Sequence, residues 1–167
     1  MLMLKKYLFF LTLLLGLAPS VLRAFSFGVD PSHLDFKTRP GETGAANLSV
    51  VNDGDTPLQL ILTAEDWTLN AQGAKVFGAP GSSPFGCASW LSISPQTLTL
   101  AAHERKSVTV SLRTPEKSEG GHQAVVFAQN LPSAARGQGK LQFQGKVGAI
   151  VYHETGGISS PWLREKI

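Results

Sequence analysis

The chain has 167 residues, 43% of them hydrophobic and 16% charged, with a formal net charge of +3 and one cysteine. The positive excess belongs to Lys5, Lys6 and Arg23 near the start; the rest carries as many acidic as basic residues, which removes support for a general attraction to nucleic acid or anionic lipid. A single cysteine excludes an intramolecular disulfide, so a hydrophobic core must hold the fold, and the length beyond residue 24 suits one domain.

Lys5 and Lys6 precede the apolar run Leu8 to Leu17, and the small residues Ala18, Ser20 and Ala24 follow, the layout of a secretory signal peptide. Cleavage is expected after Ala24, with Ser20 as the alternative. The run is well short of the roughly 20 residues that span a bilayer. The mature protein is therefore expected to be soluble outside the cytoplasm.

Phe25 to Val29 and Leu34 to Phe36 read as one strand interrupted by Pro31, which marks an edge or a strand that switches sheets. Pro40 and Gly41 turn the chain before Ala46 to Val51. Asn52, Asp53, Gly54, Asp55 and Pro57 form a dense turn signal, and the segments on either side are expected to pair as antiparallel strands. Leu58, Leu60, Leu62 and Ala64 alternate with Gln59, Thr63 and Glu65, placing the leucines on one buried face, while Ile61 implies some cover on the other.

Residues 71 to 87 are rich in Gly, Ala, Ser and Pro and read as a long loop with a short strand at Lys75 to Phe77. Cys87 is expected to be a small, buried side chain ahead of Trp90. Strands follow at Trp90 to Ile93, around Leu98 and Leu100, from Val108 to Leu112, and from Ala124 to Leu131. The last and longest is expected over Lys140 to Tyr152, after a loop containing Pro132, Gly137 and Gly139. No segment keeps helical periodicity, so the fold class is all-β: a single antiparallel β-sandwich of about seven strands.

Enzyme signatures are absent from the sequence. His33, His103, His122 and His153 lack paired-ligand spacing and read as isolated surface residues, so no metal is expected. Gly137 and Gly139 lack the third glycine of a dinucleotide fingerprint. Ser82 and Ser83 lack a nucleophile elbow. Glu65 and Asp66, adjacent in a strand, face opposite sides and cannot share a substrate. Neither catalysis nor a cofactor is expected.

The order of a Pro-interrupted opening strand, NDGDTPLQL, Trp67, a Gly/Ser loop, WLSISPQTLTL, KSVTVSLRTP, GGHQAVVFAQ and a long final strand resembles the N-terminal immunoglobulin-like domain of PapD-type periplasmic pilus chaperones, over residues 25–155. The resemblance implies an immunoglobulin-like sandwich that lends its last strand to a pilin-like or other secreted subunit, shielding an edge that would otherwise aggregate. The corresponding strand here is GKLQFQGKVGAIVY. The resemblance makes Leu141, Phe143, Val147, Ala149 and Val151, on one face, the candidate partner-binding residues; the alternative is that this face packs its own core.

Such chaperones grip the subunit's terminal carboxylate with basic residues near the first strand and in the last. Residues 25 to 36 hold only His33, and Lys146 is the one interior basic residue of the last strand, which makes it the candidate anchor. After His153, Glu154 and two glycines only ISSPWLREKI remains, so residues 156–167 read as a short tail in which Trp162 and Leu163 fold back or stay exposed. No second domain is expected. The sequence thus supports an exported chaperone-like assembly factor, with a non-catalytic structural or adhesive envelope module as the alternative.

Overall fold

The computed structural model describes residues 26–131 and 144–156. Within them lie ten strands: β1 (Phe27–Asp30), β2 (His33–Thr38), β3 (Thr43–Asn52), β4 (Leu58–Leu69), β5 (Lys75–Gly78), β6 (Leu91–Ser94), β7 (Thr97–Leu100), β8 (Arg105–Arg113), β9 (Gly121–Asn130) and β10 (Lys146–Thr155). A single 3-10 turn covers Ala88–Trp90. One sheet runs β1-β3-β8-β6 and the other β2-β10-β9-β4-β5, with β7 also on β4. The all-β immunoglobulin-like sandwich read from the sequence is the fold that forms.

Alternation builds the core. β2, β7 and the middle of β8 bury every second residue, and Leu48, Leu60, Leu62, Leu100 and Leu112 are fully enclosed between the sheets. Each such side chain contributes about 1.5–3 kcal/mol of burial. Cys87 is wholly buried in the same core. β9 is buried on both faces: Ala124, Val126 and Ala128 point inward, while Val125 and Phe127 join Trp67, Ile150 and Tyr152 in a second apolar cluster on the outer side.

Pro31 separates β1 from β2, and the strand does switch sheets there: β1 pairs with β3 in one sheet and β2 with β10 in the other. The chain keeps its direction through the switch, so β2 and β10 are parallel, an exception to the all-antiparallel expectation.

The hairpin expected around Asn52–Pro57 does not form. β3 pairs with β1 and β8, whereas β4 pairs with β9, β5 and β7, so the turn carries the chain from one sheet to the other. Asn52 holds this arch. Its side-chain amide donates to the carbonyls of Thr56 and Ala101, both at 2.8 Å, and its side-chain oxygen accepts from Gly54 N–H. The turn residues signal a reversal correctly, but a reversal between sheets uses the same residue types as one within a sheet.

The strand count exceeds seven because the first strand is split at Pro31, β6 and β7 flank Pro95, and Lys75–Gly78 forms its own strand. β4, with 12 residues, is longer than the 10-residue β10; Gly145 and the residue before it are not in a strand, and β10 runs on to Thr155. The loop containing Pro132, Gly137 and Gly139, the signal segment and residues 157–167 lie outside the described residues.

Candidate partner-binding edge

Among the described residues, β10 is paired along its length on one side and along only part of it on the other. Lys146 to Glu154 oppose Gln129 to Gly121 of β9, but β2 joins only from Ile150 onward. Direction alternates along a strand. Ile150 N–H donates to Ser32 C=O at 2.9 Å on the β2 side, while Asn130 N–H donates to Gly145 C=O at 3.2 Å on the β9 side. The main-chain groups of Lys146 and Gly148 therefore face the same way as those of Ile150, past the start of β2. No strand among the described residues pairs with them there. A short open edge of this kind is a template for strand addition.

The side chains around the edge have divided roles. Val147, Ala149 and Val151 do fall on one face, and that face is the core side. Ala149 and Val151 are fully buried in the domain's own core, so their surface is already used; Val147 is half-buried at the boundary. The alternative weighed from the sequence holds for Ala149 and Val151, leaving Val147 as the described member of the set beside the open edge. Leu141 and Phe143 lie outside the described residues.

Lys146 points to the outer face. Its Nζ donates to Glu65 Oε1 at 2.5 Å and sits 3.9 Å from the centroid of the Phe127 ring. The charge that the sequence nominated as a carboxylate anchor is thus matched within the domain. His33 is exposed on β2 and pairs with Asp35 at 3.5 Å. Gly148, beside Lys146, is where Phe127 packs across the strand: a Cβ at 148 would lie 2.8 Å from Cδ1 and Cε1 of the ring.

Asp66 lies behind the sheet, where β4 leaves β9. Its buried carboxylate accepts three backbone N–H bonds, from Gly81 at 2.7 Å, Ser83 at 3.3 Å and Ala88 at 2.9 Å, and so ties down the loop between β5 and β6. Glu65 faces the opposite side, as adjacent strand residues must. Cys87, in the same loop, has its thiol pushed up to about 12 by burial and secondarily by Asp66. It is a core side chain and a poor nucleophile.

Two of the four histidines are not isolated. His122 and His153 are register partners on β9 and β10, with ring centroids 5.9 Å apart and Trp90 packed against both. His153 is buried, its Nε2 lying 3.0 Å from the hydroxyls of both Thr38 and Thr114. Burial lowers the His153 pKa to about 4 and also lowers that of His122. Their separation of 31 positions in sequence hid a pairing that only strand register reveals. His103 is exposed and contacts Asp55 at 3.2 Å. Among the described residues no group of three or more His, Cys, Asp or Glu could hold a metal ion.

No protein-family model matches the chain, and no curated protein sequence is significantly similar to it. Solved structures are similar in fold. The E. coli chaperone DraB superposes with a TM-score of 0.54 at 14% identity, over 83% of this chain and 59% of DraB. A chain from the complex of the Salmonella enterica SafA pilin with the SafB chaperone gives a TM-score of 0.54 at 15% identity, over 84% of this chain and 59% of that one. PapD-like domain 7 of human CEP192 gives 0.51 at 14% identity, over 79% of this chain and 86% of that domain. The chain spans 54 to 61% of the length of the fimbrial chaperones CfaA, SfaE, DraB and YadV. What these similarities establish is the architecture: this chain has the PapD-like immunoglobulin fold found in pilus chaperones and in a human domain alike.

Proposed function

We propose that this protein is an exported assembly chaperone of the periplasm that pairs the open edge of β10 with an extended segment of a pilin-like or other secreted subunit. The observation that carries this reading is the stretch Lys146–Ala149 of β10, which on the side away from β9 has no partner strand among the described residues, on the strand that the resemblance assigns to donation. Main-chain groups of Lys146 and Gly148 supply the pairing, and Val147 leads the apolar series that Leu141 and Phe143 continue in the sequence. The Lys5–Ala24 segment supports export. A structural or adhesive envelope module is the second reading, favoured by the complete burial of Ala149 and Val151 and by the Lys146–Glu65 pair.

Co-purification of the exported chain from the periplasm separates the two. Val147→Glu places a charge beside the open edge, and Lys146→Pro removes an N–H that faces away from β9. Loss of a co-purifying subunit in both variants, with circular dichroism showing them folded, supports strand pairing. Retention of the subunit in both, or its absence with the wild type, leaves the structural module as the better account.

A further inference from the structure

We propose a second strand-accepting slot, on the opposite edge of the same sheet, that takes an uncharged extended segment of a partner protein. The outer edge of β4 is paired by β7 over Leu58–Ile61 and by β5 over Asp66–Leu69, and between them no strand among the described residues pairs with it. Leu62 N–H donates outward to Gln96 C=O at 2.8 Å, so by alternation the N–H and C=O of Ala64 also point outward. They meet no partner strand among the described residues. Across the seam stands β6, the edge strand of the other sheet, bonded only to β8.

Between these two edges is a groove of about 580 Å³, lined among others by Ala64, Ala88, Leu91, Ser92, Ile93 and Gln96. That volume is in the range of ligand sites, roughly 300–1,000 Å³, and it admits a few small residues in extended form. The rim is fixed by Asp66, two residues along β4 from Ala64, whose bonds to Gly81, Ser83 and Ala88 tie the loop down beside the groove.

The lining decides the occupant. It contains no charged residue, and its apolar walls alternate with hydroxyl and amide groups. A charged segment entering would shed hydration without finding a counter-charge. A neutral stretch alternating small polar and apolar side chains matches both the open main-chain groups and the walls, the mode of strand addition. The slot shares no residue with the β10 edge, so it stands or falls independently of the function proposed above.

The test titrates the ¹⁵N-labelled full chain with an acetylated, amidated hexapeptide alternating serine and valine, and with its serine–lysine counterpart. The slot predicts shift changes at Ala64 and Leu91–Ser94 and about tenfold slower exchange of the Ala64 amide with the neutral peptide. It predicts no such response to the charged peptide or in Ser92→Arg, whose substituted side chain is exposed. Changes centred on Lys146–Ala149, an equal response to both peptides, an unchanged response in Ser92→Arg, or no change at Ala64 up to millimolar peptide would overturn it.

Discussion

Gly148 stands directly opposite Phe127 across the β9–β10 ladder, and the phenyl ring fills the space that a side chain at 148 would occupy. The same ring receives Lys146 over its face and forms a T-shaped pair with Phe77 at a centroid distance of 5.1 Å. A glycine at the open edge is therefore a packing requirement of the outer cluster. Gly148→Ala is expected to cost about 1–3 kcal/mol by overpacking, read from urea denaturation. Adding Phe127→Leu should recover part of that loss, giving a combined cost below the sum of the two single changes. Strict additivity would show that the ring does not set the requirement.

Asp66→Ala removes the acceptor shared by three buried or half-buried N–H groups. The expected cost is on the order of 3 kcal/mol, since each stranded donor is expensive. The loop it holds contains Cys87, whose thiol is inert while enclosed. Maleimide labelling of the native protein should be slow in the wild type and faster in Asp66→Ala, because the loop opens and a nearby negative charge is gone. Equal labelling rates would show that something other than Asp66 closes the loop.

His153 links stability to acid. The unfolded chain takes up its proton near the ordinary value of 6.5, the folded chain only near 4, chiefly because the ring is buried, with His122 adding to the effect and Glu154 opposing it. The folded state thus binds fewer protons in that window, and stability present above pH 6.5 is lost as the pH falls toward 4. The loss is up to about 3 kcal/mol. Denaturation midpoints should fall from pH 7 to 4.5 more steeply in the wild type than in His153→Gln. Parallel slopes would place the acid sensitivity elsewhere.

Lys146→Met should leave stability within about 1 kcal/mol of the wild type, because its ion pair and ring contact are partly exposed and the stem still covers Phe127. If the lysine served mainly as a carboxylate anchor, partner capture would collapse in this variant. With its charge already matched by Glu65, capture should weaken less than in Val147→Glu.

Much of the fold was legible in the sequence because alternation writes burial directly: Leu58, Leu60 and Leu62, and Val108, Val110 and Leu112, all face the core they predict. Pro31 announced an edge or a sheet switch because a residue without an N–H cannot sit in an unbroken ladder, and the pairing of β1 and β2 makes it the switch. Pairing partners were less legible. Asn52–Pro57 gave the position of the turn but not whether it stays within a sheet, and the arch depends on contacts to Ala101, 49 positions away. The resemblance nominates the strand on which the open edge lies, yet period two alone cannot tell a face turned to a partner from one turned to the core, so both readings of Ala149 and Val151 stay open until their burial is known. The His122–His153 pair and the Ala64 gap follow from register, which no local pattern encodes.

The open edge of β10 is tested most directly by residue-resolved amide exchange in the isolated chain. Lys146 and Gly148 should exchange rapidly while Val147 and Ala149, which face β9, are protected. After capture of a subunit, the two fast amides should become protected in turn. Protection of Lys146 and Gly148 in the isolated chain would mean that the edge is already closed, and would contradict strand pairing as the function of this protein.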